Sequence, residues 1–136
     1  MIGREAEAGT GEARVILAYG EAMLRTALAD HLRGCGFDVI EAASSDEAMV
    51  ALAEVDGSVT TLLCDVAIPG TSGGFSLSIE ARDRGLKVVL TGSLPGAVEA
   101  AVELCQSGPR QTDGGDAPAL IESIKHALAT RAAEVD

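Results

Sequence analysis

The sequence predicts a doubly wound α/β domain, a parallel sheet with helices packed on both faces. Apolar runs and amphipathic stretches alternate from Arg14 to Leu104 at roughly twenty-residue spacing, the pattern of successive βαβ units. The run Thr60-Thr61-Leu62-Leu63-Cys64 is largely apolar without alternation, as in a strand buried on both faces. It stops on a carboxylate, Asp65, with a Pro69-Gly70 turn four residues on. The carboxyl ends of strands are where open α/β sheets place their ligands and chemistry.

Each element follows from local sequence. Arg14-Val15-Ile16-Leu17-Ala18-Tyr19 is apolar enough for a central strand. A helix opens at Glu21, in a first turn where the helix dipole favours negative charge, and carries Leu24, Leu28 and Leu32 on one face. Gly34-Cys35-Gly36 ends it, the last glycine supplying a positive φ. Phe37 to Ala42 alternates as an edge strand. Ser44 followed by Glu47 forms a capping box for a helix that turns Ala48, Ala51 and Leu52 inward and ends before Asp56-Gly57. Strand 60–65 comes next. Phe75 to Arg84 is a third helix, with Leu77 and Ile79-Glu80-Ala81 around its buried side, and Gly85 terminates it. Lys87 to Thr91 is a fourth strand, and Pro95 to Leu104 a fourth helix with Val98, Ala101 and Val102 apolar. Residues 105–115 hold three glycines and a proline without an apolar run, so a fifth strand there is weak or missing and the segment irregular. Asp116 can cap a final helix bearing Leu120, Ile121, Ile124 and Leu128. The domain is expected over 13–130, with a disordered tail at 1–12 and a frayed one at 131–136.

Composition narrows the function. Ten Lys and Arg against 21 Asp and Glu give a net charge of −11, the wrong sign for a nucleic-acid surface. No stretch is long and apolar enough to span a membrane, and the acidic N-terminus is not a secretory signal. A cytoplasmic location is the expectation. Cys35, Cys64 and Cys105 are odd in number and widely spaced, neither a disulfide framework nor a metal knuckle, and read as reduced, buried thiols. His31 and His126 lie on helices without a ligand at metal spacing and read as surface residues.

The residues around the strand end carry a resemblance. Leu62-Leu63-Cys64-Asp65, then Ile68-Pro69-Gly70 and Gly73-Gly74, resemble the phosphoacceptor strand and loop of response-regulator receiver domains of two-component signalling. Leu90-Thr91-Gly92-Ser93 is similar to that family's switch segment. The resemblance covers residues 14–129 and implies a flavodoxin-like sheet of strand order 2-1-3-4-5. It further implies Asp65 as the phosphoacceptor and Thr91 as the hydroxyl that bonds the phosphoryl oxygen when activated. Read from position alone, Asp65 and Thr91 can also be residues capping their own loops.

Two family features are absent. The acidic pair that follows the first strand and helps hold Mg²⁺ falls on Tyr19 and Gly20. Mg²⁺ wants near-octahedral oxygen ligation, so Asp65 is a poor cage alone. Glu21 is a possible second metal ligand and equally a helix-dipole residue. The Lys-Pro step after the fifth strand is also missing: Gly108 precedes Pro109, and Arg110 follows. The chain therefore reads as a degenerate, stand-alone receiver in phosphorelay signal transduction, not an enzyme, with Mg²⁺ bound weakly. Its partner would be a histidine kinase, a phosphotransfer protein or another signalling protein. The alternative is a phosphorylation-independent pseudo-receiver acting through protein contact. A weaker third reading is a small-ligand pocket lined by Tyr19.

Overall fold

The computed structural model describes residues 14–54, 59–106, 121–122 and 124–126. Within them the chain alternates β1 (Arg14–Ala18), α1 (Ala22–Gly34), β2 (Asp38–Ala42), α2 (Ser45–Glu54), β3 (Val59–Asp65), α3 (Gly74–Asp83), β4 (Lys87–Thr91) and α4 (Leu94–Gln106). Residues 121–122 and 124–126 are helical. The strands form one parallel sheet of order β2-β1-β3-β4, the expected order for these four. The expected tails at 1–12 and 131–136 lie outside the described residues. So do most of the irregular segment, with Pro109 and Arg110, and the cap at Asp116.

The connections obey the right-handed crossover rule. Passing outward from β1 to β2 puts α1 on one face of the sheet. Returning across β1 to β3, and onward to β4, puts α2 and α3 on the other. Two cores result. Val15, Leu17 and Leu63 pack with Leu28, Leu32, Val98 and Ala101 on the α1 side. Ile16, Leu62 and Cys64 pack with Ala48, Leu52, Leu77 and Ala81 on the α2–α3 side. Helix α4 lies on the α1 face. Its apolar stripe of Ala97, Val98, Ala101 and Leu104 is buried there beside α1.

The caps are local and follow from sequence. The Ser44 Oγ accepts from the Glu47 N–H at 3.1 Å, and the Glu47 Oε1 accepts from the Ala43 N–H at 2.7 Å. The capping box is therefore present, with its return bond one residue early. Gly36 and Gly85 take φ of 93° and 88° where α1 and α3 end. At the far end of α2, Arg84 donates to the Leu52 carbonyl at 3.1 Å while pairing with Glu80 at 2.8 Å.

Two sequence expectations are overturned. Ile79 is 59% exposed. Leu77, Ser78 and Ala81 are the buried residues of that turn, and Ile79 stands about 200° around the helix from Leu77, on the opposite side. Cys35 and Cys105 are not reduced thiols but a disulfide, with Cα atoms 5.4 Å apart. Cys35 caps the end of α1 and Cys105 sits in the last turn of α4. Both helices run antiparallel to the strands on one face, so their ends meet although 70 residues separate them. Cys64 is the buried, free thiol that the sequence suggested.

Closing so long a loop restricts the unfolded chain, worth about 4 kcal/mol on the chain-entropy estimate. Reducing the bond should lower the unfolding free energy by up to about that amount, read as a fall in denaturant midpoint with and without reductant. An unchanged midpoint would show that the bond does not constrain the unfolded state.

Candidate functional site

Parallel pairing in register builds one rim. Asp65 ends β3 directly beside Thr91 at the end of β4, and Tyr19 extends β1 by one residue, its N–H donating to the Ala42 carbonyl at 3.1 Å. Together with Leu24, Gly92, Ser93 and Leu94 these three line a cleft of about 200 Å³. The sequence-expected pair Asp65 and Thr91 is thus brought together, and Tyr19 joins it.

Tyr19 is the residue that defines this cleft. Its side chain is nearly buried, 2% exposed, and its hydroxyl is hydrogen-bonded to the Thr91 hydroxyl at 2.5 Å. Its carbonyl accepts from Arg25 Nη1 at 2.7 Å, and Arg25 is held in turn by Glu41. Burial raises the phenol's pKa well above its ordinary value. The bond to Thr91 opposes that shift, and the nearby Asp65 carboxylate adds to it. The cleft therefore presents a neutral hydroxyl where an acidic residue would present charge.

The neighbouring position is closed by packing. A Cβ on Gly20 would lie 2.7 Å from the Pro69 Cδ and 2.9 Å from its Cγ, so no side chain fits without moving the turn. That turn is itself fixed by the start of α2. Ser45 donates its N–H to the Pro69 carbonyl at 2.8 Å, its Oγ accepts from the Ser72 N–H, and Asp46 accepts from the Thr71 N–H. Gly70, at φ 128°, passes so close that a Cβ would strike the Ser45 Oγ. Gly74 packs on the Asp65 and Val66 backbone, where a Cβ would come within 2.8 Å of the Asp65 carbonyl.

Glu21 is the N-cap of α1, its Oε1 accepting from the Met23 N–H at 2.8 Å. Asp65 uses Oδ1 to accept from the Ala67 N–H at 3.0 Å. The cleft lining supplies one carboxylate, Asp65, and three hydroxyl side chains, Tyr19, Thr91 and Ser93. Mg²⁺ is held by one or two carboxylates with phosphate and water completing its octahedron, and of the carboxylates the described cleft lining offers Asp65 alone. Behind the rim, Cys64 is pushed up to about 12 by burial and then by Asp65, so its thiol stays protonated and unreactive.

One cluster was missed from the sequence. His31, Cys35 and Cys105 bring a ring nitrogen and two sulfurs within 4.8 Å of one another, at the opposite end of the sheet from Asp65. His31 is half-buried rather than a surface residue. The available signal was the four-residue step from His31 to Cys35, which puts both on one helix face. Nothing local points to Cys105.

Solved structures of similar fold include a receiver domain and a response regulator. The receiver domain of the hybrid histidine kinase CckA superposes with a TM-score of 0.53 at 24% identity, covering 68% of this chain and 97% of that one. A structure described as adenylate cyclase from Rhodopirellula baltica gives 0.52 at 19% identity, covering 90% and 97%. The RcsB response regulator of Salmonella typhimurium, from a study of conformational dynamism for DNA interaction, gives 0.51 at 20%, covering 88% and 68%. No family model matches the sequence, and no curated protein matches it. At these identities the likeness establishes the fold: this chain has the receiver fold, with four described strands.

Two outcomes test this geometry. Gly20→Ala should destabilise the domain by about 1–3 kcal/mol, the usual cost of overpacking. A neutral effect in denaturant melts would mean that Pro69 yields freely. Stability should also fall as pH rises from the ordinary thiol value of 9.0 through about 12. In that window the unfolded Cys64 loses its proton while the folded one keeps it. Cys64→Ala should flatten the fall between pH 9 and 11; an equally steep fall would place the effect elsewhere.

Proposed function

We propose that this chain is a signal-transduction receiver whose output is protein contact, with its phosphoacceptor site converted to a form that takes up little phosphate. The observation that carries this reading is the Tyr19–Thr91 hydrogen bond. The hydroxyl proposed as the switch is already engaged from within the domain, by the residue standing where the acidic pair of the receiver family would begin. Phosphoryl transfer rests on positioned cations and donors at developing negative charge. A neutral phenol, an N-capping Glu21 and a sterically closed Gly20 leave Asp65 without the carboxylates that would balance Mg²⁺, so Mg²⁺ binding is weak on this reading. The partner is a cytoplasmic signalling protein, and no enzymatic activity is assigned.

A second reading keeps Asp65 as a working phosphoacceptor for a histidine kinase or phosphotransfer protein. It is favoured by the register of Asp65 with Thr91 and by a cleft beside the carboxylate.

Phosphate uptake separates the two. Incubated with acetyl phosphate and Mg²⁺, the wild-type chain should show little added phosphate by intact mass. Tyr19→Asp, which places a carboxylate at the end of β1 without adding a side chain at Gly20, should raise uptake by tenfold or more, and Asp65→Asn should abolish the gain. Ready phosphorylation of the wild type, lost in Asp65→Asn, would overturn the first reading and establish the second.

A further inference from the structure

We propose that His31, Cys35 and Cys105 form a zinc site when the Cys35–Cys105 disulfide is reduced, so that the two cysteines alternate between a covalent staple and a metal centre. The cluster brings together a soft donor set. A ring nitrogen and two sulfurs within 4.8 Å of one another are the ligand types that Zn²⁺ selects over harder cations. Tetrahedral Zn²⁺ with sulfur at about 2.3 Å and nitrogen at about 2.0 Å sets its ligands about 3.5–3.8 Å apart. Small side-chain rotations suffice for the separated sulfurs to reach that spacing.

A second observation points the same way. His31 Nε2 is shielded from solvent and has no hydrogen-bond partner among the described residues, a costly state for a buried polar atom and one that a metal ion would relieve. The scaffold around it is firm: Leu28, Leu32, Phe37, Ala101 and Leu104 belong to the same core as both cysteines. Three protein ligands leave the fourth position for water.

The chemistry balances. A dithiol reductant exchanges with the disulfide, gives up two electrons and two protons, and becomes a disulfide itself, leaving Cys35 and Cys105 as thiols. Zn²⁺ binding then releases both thiol protons, and the neutral imidazole donates a lone pair. Oxidation by a disulfide oxidant ejects the metal and restores the S–S bond. Either state ties the end of α1 to the end of α4, whose first residue, Leu94, lines the Asp65 cleft on the order of 20 Å away.

Co²⁺ is the spectroscopic probe. The full chain, reduced with a phosphine, stripped by chelator and kept free of oxygen, is titrated with Co²⁺ and then with Zn²⁺. Thiolate-to-cobalt charge-transfer absorption should saturate at one Co²⁺ per chain and be displaced by Zn²⁺. It should be absent from the oxidised chain and from C35S/C105S, which retains Cys64. His31→Ala, which keeps the disulfide when oxidised, should bind at least about tenfold more weakly when reduced, because losing a ligand costs no less than losing a group that only supports one. If reduction unfolds the chain, Zn²⁺ should restore its far-ultraviolet circular dichroism. Equal absorption in C35S/C105S, equal affinity in His31→Ala, or failure of the reduced chain either to bind or to refold with Zn²⁺ would each overturn the proposal.

Discussion

The in-register pairing of β3 with β4 and with β1 is the constraint on which the rest of this domain depends. Because all three strands run in parallel, their last residues emerge on one rim, and Tyr19, Asp65 and Thr91 must share it. A slip of one residue would send Asp65 into a helix-covered face and break the alternation that feeds both cores. The same pairing brings the phenol within bonding distance of Thr91. The character of the cleft is therefore set by the residue that β1 delivers there, and β1 delivers a neutral one.

Tyr19 and Gly20 are bound into their surroundings. Tyr19 is held by Arg25 at its carbonyl, by Thr91 at its hydroxyl and by burial along its ring. Gly20 lies under Pro69, and the turn containing Pro69 is fastened to the first turn of α2 by Ser45 and Asp46. A charged pair at 19 and 20 would have to displace the turn as well as replace two side chains. This makes the rim a consistent local structure, with Tyr19, Asp65, Thr91 and Ser93 each hydrogen-bonded inside the domain.

Much of this was legible in the sequence because it is local. The apolar run ending on Asp65, the capping box at Ser44 and Glu47, and the glycines after α1 and α3 are read from spacing alone. The rim residues followed from strand register, which the buried strands leave little freedom to change. What escaped were contacts set by tertiary placement. Ile79 is apolar and falls within the stretch expected to face inward, but helix geometry carries it to the opposite side from Leu77. The Cys35–Cys105 bond depends on α4 lying beside α1, a placement that no local pattern specifies. The Tyr19–Thr91 bond spans 72 residues and required the folded sheet to be seen.

The central claim is that a neutral hydroxyl pair, rather than a metal-binding carboxylate set, occupies the rim beside Asp65. A Mg²⁺ titration followed by amide resonances in ¹H–¹⁵N NMR tests it most directly. The account predicts that Asp65, Val66, Ala67 and Thr91 shift little and without saturation across the millimolar range. Saturating shifts at these residues at submillimolar Mg²⁺, abolished by Asp65→Asn, would contradict it.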